Sequence, residues 1–259
     1  AAVTDLLLRN IGLEDCRNSL FERLYKSSPD TCRSILHKQG RMHPAIAEFP
    51  NQTFYYREQL ESVPLPHQLE ETPYETGLTP QDTIDQLLLE RRMVFIPAEA
   101  PDHLTCSDKT NPNEARIVAT LLGHIYRLTE SRFDPNRTVG VIVPYRNQIA
   151  MIRREIEQMG IEPLTRISID TVERYQGSQR DVIVYSFTIQ HAYQLDFLTA
   201  NCMEEDGQVI DRKLNVALTR ARKQLIITGH EPTLRQNALF AKLLDHIRSR
   251  EGYAEPQEE

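Results

Sequence analysis

The chain alternates short runs of β-branched and apolar residues with longer amphipathic stretches, and that alternation restricts its fold more than any other feature. Residues 93–96 (MVFI), 138–143 (TVGVIV), 167–170 (ISID), 182–187 (VIVYSF) and 224–228 (QLIIT) read as buried strands. Ala115, Val118, Leu121, Leu122 and Ile125 mark one face of a helix over 113–128, and a second helix over 146–159 stops at Gly160. Strands joined by helical crossovers predict an α/β fold, a parallel sheet covered by helices on both faces. Sheets of that kind bind ligands at the carboxyl ends of their strands, so the loops leaving the strands are where chemistry is expected.

The stretch 213–229, KLNVALTRARKQLIITG, places two arginines just before the last of these strands. Leu214, Ala217, Leu218 and Ala221 recur at i, i+3, i+4 and i+7, the stripe of a helix. At about 100° per residue, Arg220 and Arg222 fall on opposite flanks of that stripe, so at most one should face a ligand. Two segments interrupt the alternation. Residues 61–92 hold Pro64, Pro66, Pro73 and Pro80 among many charges and read as an excursion or long loop; residues 190–211 are longer than a simple crossover needs. Glu251, Glu255, Glu258 and Glu259 predict a disordered acidic tail over 251–259.

With 259 residues, 40% of them hydrophobic, the chain can bury a substantial core. No run approaches the roughly 18–20 apolar residues of a membrane span, and the amino terminus lacks a signal-peptide pattern, which predicts a cytoplasmic protein with no membrane partner. Cys16, Cys32, Cys106 and Cys202 form no CxxC, arguing against a zinc site or a disulfide framework, and no metal site is expected. The formal charge of −7 excludes coating of nucleic acid by overall basicity but permits a local track. Arg212, Lys213, Arg220, Arg222 and Lys223 cluster in one segment, and Arg146, Arg153 and Arg154 in another.

Three loops carry candidate chemistry. In 38–44, KQGRMHP, Arg41 follows a glycine and precedes a proline-delimited turn, so it is placed either to reach a ligand or to make an ordinary salt bridge. His43 has no second His or Cys at ligand spacing and reads as a packed or hydrogen-bonded side chain. In 143–148, VPYRNQ, a helix opens after a strand; its free N–H groups suit a phosphate, with Tyr145 and Arg146 available for stacking and charge, although Pro144 at a helix start also has purely structural uses. In 170–181, DTVERYQGSQRD, a hydroxyl, amides and a glycine stand between two buried strands, able to meet polyphosphate or a sugar hydroxyl.

Together these segments resemble the second RecA-like domain of superfamily I helicases, in the 5′-to-3′ branch that holds the nonsense-mediated-decay helicase, senataxin and the immunoglobulin-mu-binding helicase. The carriers are SLFERL at Ser19–Leu24, GRMHPAIAEFPNQTFY at Gly40–Tyr55, VIVPYRNQ at Val141–Gln148, TVERYQGSQRDVIVYS at Thr171–Ser186 and LNVALTRAR at Leu214–Arg222. The resemblance implies that 1–250 is one such domain. It would form half of an ATP-driven motor on single-stranded DNA or RNA, with the phosphate loop and the Mg2+ ligands on a first RecA-like domain. None of the ten glycines is followed by lysine, so GxxxxGK[ST] is absent from these residues, and the isolated chain is expected not to hydrolyse ATP appreciably.

By the same resemblance, Arg41 and Arg220 match the two arginines that reach the γ-phosphate, leaving Arg222 to a structural or interface ion pair. Gln176 and Gly177 match the motif that couples nucleotide to nucleic acid, Gln179 stands near the ribose, and Pro144, Tyr145, Arg146 and Thr171 lie along the strand path. Two departures stand out: Gly40 replaces an aromatic able to stack on adenine, and Gln179 an acid able to bind the ribose. The competing reading is a docking module that keeps the fold without the chemistry. Possession of both Arg41 and Arg220 favours the motor.

Overall fold

The computed structural model describes residues 20–34, 36–100, 107–199, 202–205 and 208–254. Residues 1–37 and 38–259 form two compact units. In the first, the described part holds the helix Leu20–Ser27 and the short 3-10 turn Asp30–Cys32. Ser19, Cys16 and Cys106 lie outside the described residues.

The second unit contains nine described strands: β1 (Lys38–Gln39), β2 (Glu61–Ser62), β3 (Met93–Pro97), β4 (Val139–Val143), β5 (Ser168–Thr171), β6 (Arg180–Ser186), β7 (Cys202–Glu205), β8 (Gln208–Asp211) and β9 (Ala221–Gly229). Five of them form one all-parallel sheet in the order β3-β9-β6-β4-β5. Period-2 alternation sends successive side chains to opposite faces. Phe95, Ile142, Ile183, Leu225 and Ile227 lie under the helices Pro44–Thr53, Arg212–Leu218 and Ala238–Ser249. Val94, Val141, Val184 and Ile226 lie under Pro112–Thr129 and Arg146–Met159. Each such side chain contributes about 1.5–3 kcal/mol when fully buried. The α/β sheet with helices on both faces is therefore the observed fold, and 146–159 ends where expected, with Gly160 at φ 68°.

Three segments differ from expectation. The helix thought to run through Ala221 stops at Leu218; Thr219 and Arg220 form a turn, and β9 starts at Ala221. The cause is pairing with β6: the Arg220 carbonyl accepts the Arg180 N–H at 3.1 Å, and Ala221 pairs with Arg180. A ladder feeding the buried run Leu225–Thr228 outweighs one more helical turn. The opposite-flank argument for the two arginines therefore fails; Arg220 sits in a turn and Arg222 in a strand.

The Pro-rich excursion is folded. It contains β2 and the helices Pro66–Leu69 and Thr83–Glu90, the latter capped by Asp82 accepting from the Asp85 N–H at 2.8 Å. It also explains the polar Gln224 buried in the middle of β9, which accepts from the Tyr74 hydroxyl at 2.7 Å and donates to the carbonyls of Leu88 and Arg91. At the other end, disorder from 251 does not hold for 251–254. Phe95 N–H donates to the Gly252 carbonyl and Ala254 N–H to the Phe95 carbonyl, both at 2.9 Å, while the Tyr253 ring rests on Phe95. The exposed edge of β3 is what captures them. Residues 255–259 lie outside the described residues. Among the described residues no helix is long and apolar enough to cross a membrane.

Candidate functional site

At the amino ends of β6 and β9, two turns bring Arg41 and Arg220 together. Arg41 Nε donates to Gln179 Oε1 at 3.1 Å and its Nη1 to the Thr219 carbonyl at 3.2 Å. Arg220 Nε donates to the Val216 carbonyl at 3.0 Å and its Nη2 to the Thr219 hydroxyl at 3.2 Å. Partial burial pushes the Arg220 pKa down, and the neighbouring Arg41 charge pushes it further. Among the described residues neither guanidinium has a carboxylate within ion-pair distance. Two half-buried cations held by carbonyls, an amide and a hydroxyl leave a site short of negative charge.

The Arg41 turn is rigidly built. Gln39 Oε1 accepts from the N–H groups of Arg41 and Met42, at 2.9 and 2.7 Å. From the excursion, buried His67 bonds the Arg41 carbonyl through Nε2 at 2.8 Å, and Gln68 donates to the Met42 carbonyl at 2.8 Å. His43 caps the helix Pro44–Thr53, its Nδ1 accepting from the Ala45 N–H and its Nε2 bonding the Glu70 carbonyl at 3.1 Å. Burial, with the nearby Arg92 charge, lowers its pKa to about 4, so it serves as a neutral structural residue.

Arg222 has other partners. Its Nη1 lies 2.7 Å from Asp181 Oδ1, with both side chains about four-fifths buried, its Nη2 reaches His67 Nδ1, and its carbonyl accepts the His43 N–H. It is locked into an ion pair, as expected, but because a strand turns it there and not because of a helix flank. Gln176 and Gly177 are exposed on the loop between β5 and β6, Gly177 at φ 87°, a conformation that favours glycine.

Pro144, Tyr145, Arg146 and Thr171 stand at the opposite end of the sheet, where β4 and β5 finish. The general rule that ligands gather at carboxyl ends thus covers only this second group; Arg41, Gln179 and Arg220 sit at amino ends. Tyr145 is buried, its ring stacked on Phe197 at 5.0 Å and 19°. The ring open to solvent is Phe197, with the Lys213 ammonium 4.7 Å from its centre. Phe197 comes from the helix Tyr193–Leu198 inside the long 190–211 connection, where no periodic pattern marked it. Beneath this end lies Glu114, fully buried, accepting from the Ser186 hydroxyl at 2.6 Å and the Thr188 N–H at 3.0 Å; burial raises its pKa to about 7. Asp82, Asp85 and His124 approach closely enough to hold a metal, yet Arg127 donates to both Asp85 oxygens and closes the cluster as an ion-pair network.

A model of the AAA domain family matches residues 16–232. The chain belongs to that family. It is 30% identical over 231 residues to the DNA polymerase alpha-associated DNA helicase A of Schizosaccharomyces pombe, covering 86% of this chain and 32% of the relative. Over 240 residues it is 26% identical to Helicase SEN1 of Saccharomyces cerevisiae, covering 90% and 10%. Over 251 residues it is 28% identical to Regulator of nonsense transcripts 1 of Dictyostelium discoideum, covering 95% and 17%. The chain therefore spans about a third or less of these relatives, and falls in the superfamily I helicase group of the nonsense-mediated-decay and senataxin type.

Both departures from the group's pattern have structural counterparts. A side chain on Gly40 would meet Leu65 Cδ1 at 3.0 Å, so part of the space beside Arg41 is taken by an aliphatic residue of the excursion. Gln179 spends its amide oxygen on Arg41 and keeps its amide nitrogen for another partner.

Proposed function

We propose that the chain is the second RecA-like half of an ATP-dependent helicase or translocase. It supplies Arg41 and Arg220 to ATP held on a first RecA-like domain outside these residues and half of a single-strand track through Pro144, Arg146, Thr171 and the Tyr145–Phe197 stack. The observation that carries this reading is the convergence of two guanidiniums with no carboxylate in ion-pair reach among the described residues. Phosphoryl transfer spreads negative charge over the γ-oxygens, and cations arriving on domain closure stabilise it. Magnesium ligands and the phosphate loop belong to the other half in this scheme; the residues here bind and orient. Gln176 and Gly177 join the two ends, since their loop starts at Thr171 and finishes at Gln179. The whole protein's substrate is a DNA or RNA strand, contacted mainly along its backbone.

The test uses the protein carrying both halves. Arg41→Ala should lower strand-stimulated ATP turnover by about 10²-fold or more, with nucleotide affinity much less affected, because the contact strengthens in the transition state. Turnover within a factor of two of the parent's would refute the assignment.

A further inference from the structure

Beyond the strand ends, the outer face of the helix Arg146–Met159 and the start of the β5–β6 loop enclose a shallow groove. Arg146, Arg153, Arg154 and Arg174 line it against only Asp170 and Glu157. On a chain of net charge −7 the groove carries four arginines against two acids. Arg153 is tied to the carbonyls of Thr165 and Ile167 at 2.8 and 3.1 Å, which fixes its position and leaves its charge unneutralised. Arg174 reaches Asp170 only at 3.6 Å, in an exposed pair worth little. Arg146 and Arg154 are exposed, and among the described residues neither has an ion-pair partner. They stand eight residues apart on one helix, about 12 Å along its axis, a span longer than one backbone phosphate step.

We infer that this groove is a second binding site for phosphodiester backbone, continuing the path of a single strand away from Thr171 and lengthening the footprint by a few nucleotides. The inference rests on the nucleic-acid reading above. Guanidiniums suit phosphate oxygens through paired N–H donors, and the groove shares Arg146 with the strand end, so one strand can occupy both without a turn. Its apolar content, Ile149 and Ala150, is too small for a protein anchor and adequate for a sugar.

The test is binding of the 259-residue chain to labelled oligo-dT and oligo-U of about six and about twelve nucleotides, across a salt series. The parent chain should gain at least about tenfold in affinity from the short to the long strand. Arg154→Ala/Arg174→Ala should match it on the short strand and lose most of the gain on the long one, with a salt slope shallower by about 1.4, two contacts at about 0.7 each. The Lys/Lys variant at the same positions should keep most of the gain, separating charge from fold. A double-Ala variant identical to the parent at both lengths, or polyglutamate competing as well as the oligonucleotide, would overturn the groove while leaving the strand-end reading intact. Failure of the parent chain to bind either length would overturn both.

Discussion

The two ends of the sheet each hold charge without a matching countercharge, and they hold it differently. At the amino ends of β6 and β9, Arg41 and Arg220 are half-buried beside one another with no carboxylate among the described residues. At the carboxyl end of β6, Glu114 is sealed completely, has no cation among the described residues, and is satisfied by a hydroxyl and N–H groups. The first arrangement stays open to an outside anion. The second can only change its own protonation. On the function proposed above, unneutralised charge serves a ligand where solvent still reaches it and makes a titrating structural element where it does not.

Glu114 offers the largest stability effect. Its folded pKa, about 7, lies above the usual carboxylate value, so the folded state binds the extra proton. The resulting stability is complete below about pH 4.5 and is lost as pH rises through 7, a change of about 3 kcal/mol. Thermal melts between pH 5 and 8 should show this decline, and Glu114→Gln should flatten it. An equally steep decline in the variant would place the titrating group elsewhere and break the contrast between the two ends.

The loop joining the ends supplies a smaller effect. Tyr175, 2% exposed, lies across β4 and donates to the Ser168 carbonyl at 2.7 Å. It can do so because residue 140 is glycine; a Cβ there would overlap the tyrosine hydroxyl. Gly140→Ala should cost about 1–3 kcal/mol and loosen the path from Thr171 to Gln179, measurable as a lower denaturation midpoint and faster amide exchange over 172–179. Unchanged exchange would mean that Tyr175 does not hold the loop.

The smallest effect concerns nucleotide choice. With Gly40 beside Leu65 in place of an aromatic, base stacking of about 1–3 kcal/mol is missing, so the protein with both halves should use ATP and GTP within about a hundredfold of each other in competition kinetics. A larger preference would show that other contacts read the base.

How far sequence reading carried depended on whether the controlling interaction was local. The five strands of the parallel sheet and the helices 112–129 and 146–159 follow from period, caps and Gly160, all signals within a few residues, whereas β1, β2, β7 and β8 carried no such signal. The end of the Arg212–Leu218 helix did not, because β6 pairing decides it from some forty residues away. His67 and Gln68 were hidden in a stretch that four prolines made look open, although Pro66 at a helix start was a usable sign. Tyr145 was legible as an aromatic at a strand end, but its burial under Phe197 depends on a connection with no period. Arg41 and Arg220 were identified by resemblance to a family; their convergence is a property of the fold alone.

The central claim is that Arg220 faces the nucleotide while Arg222, two residues on, serves the fold. In the protein carrying both halves, turnover, nucleotide affinity and melting temperature should be measured for Arg220→Ala and Arg222→Ala side by side. The account predicts that Arg220→Ala lowers turnover by about 10³-fold or more with affinity comparatively intact. Arg222→Ala should keep turnover within about tenfold and lose about 1–3 kcal/mol of stability as Asp181 loses its closer cation and is left with Arg137 at 3.6 Å. Hydrolysis stopped by Arg222→Ala and nearly normal in Arg220→Ala would contradict it.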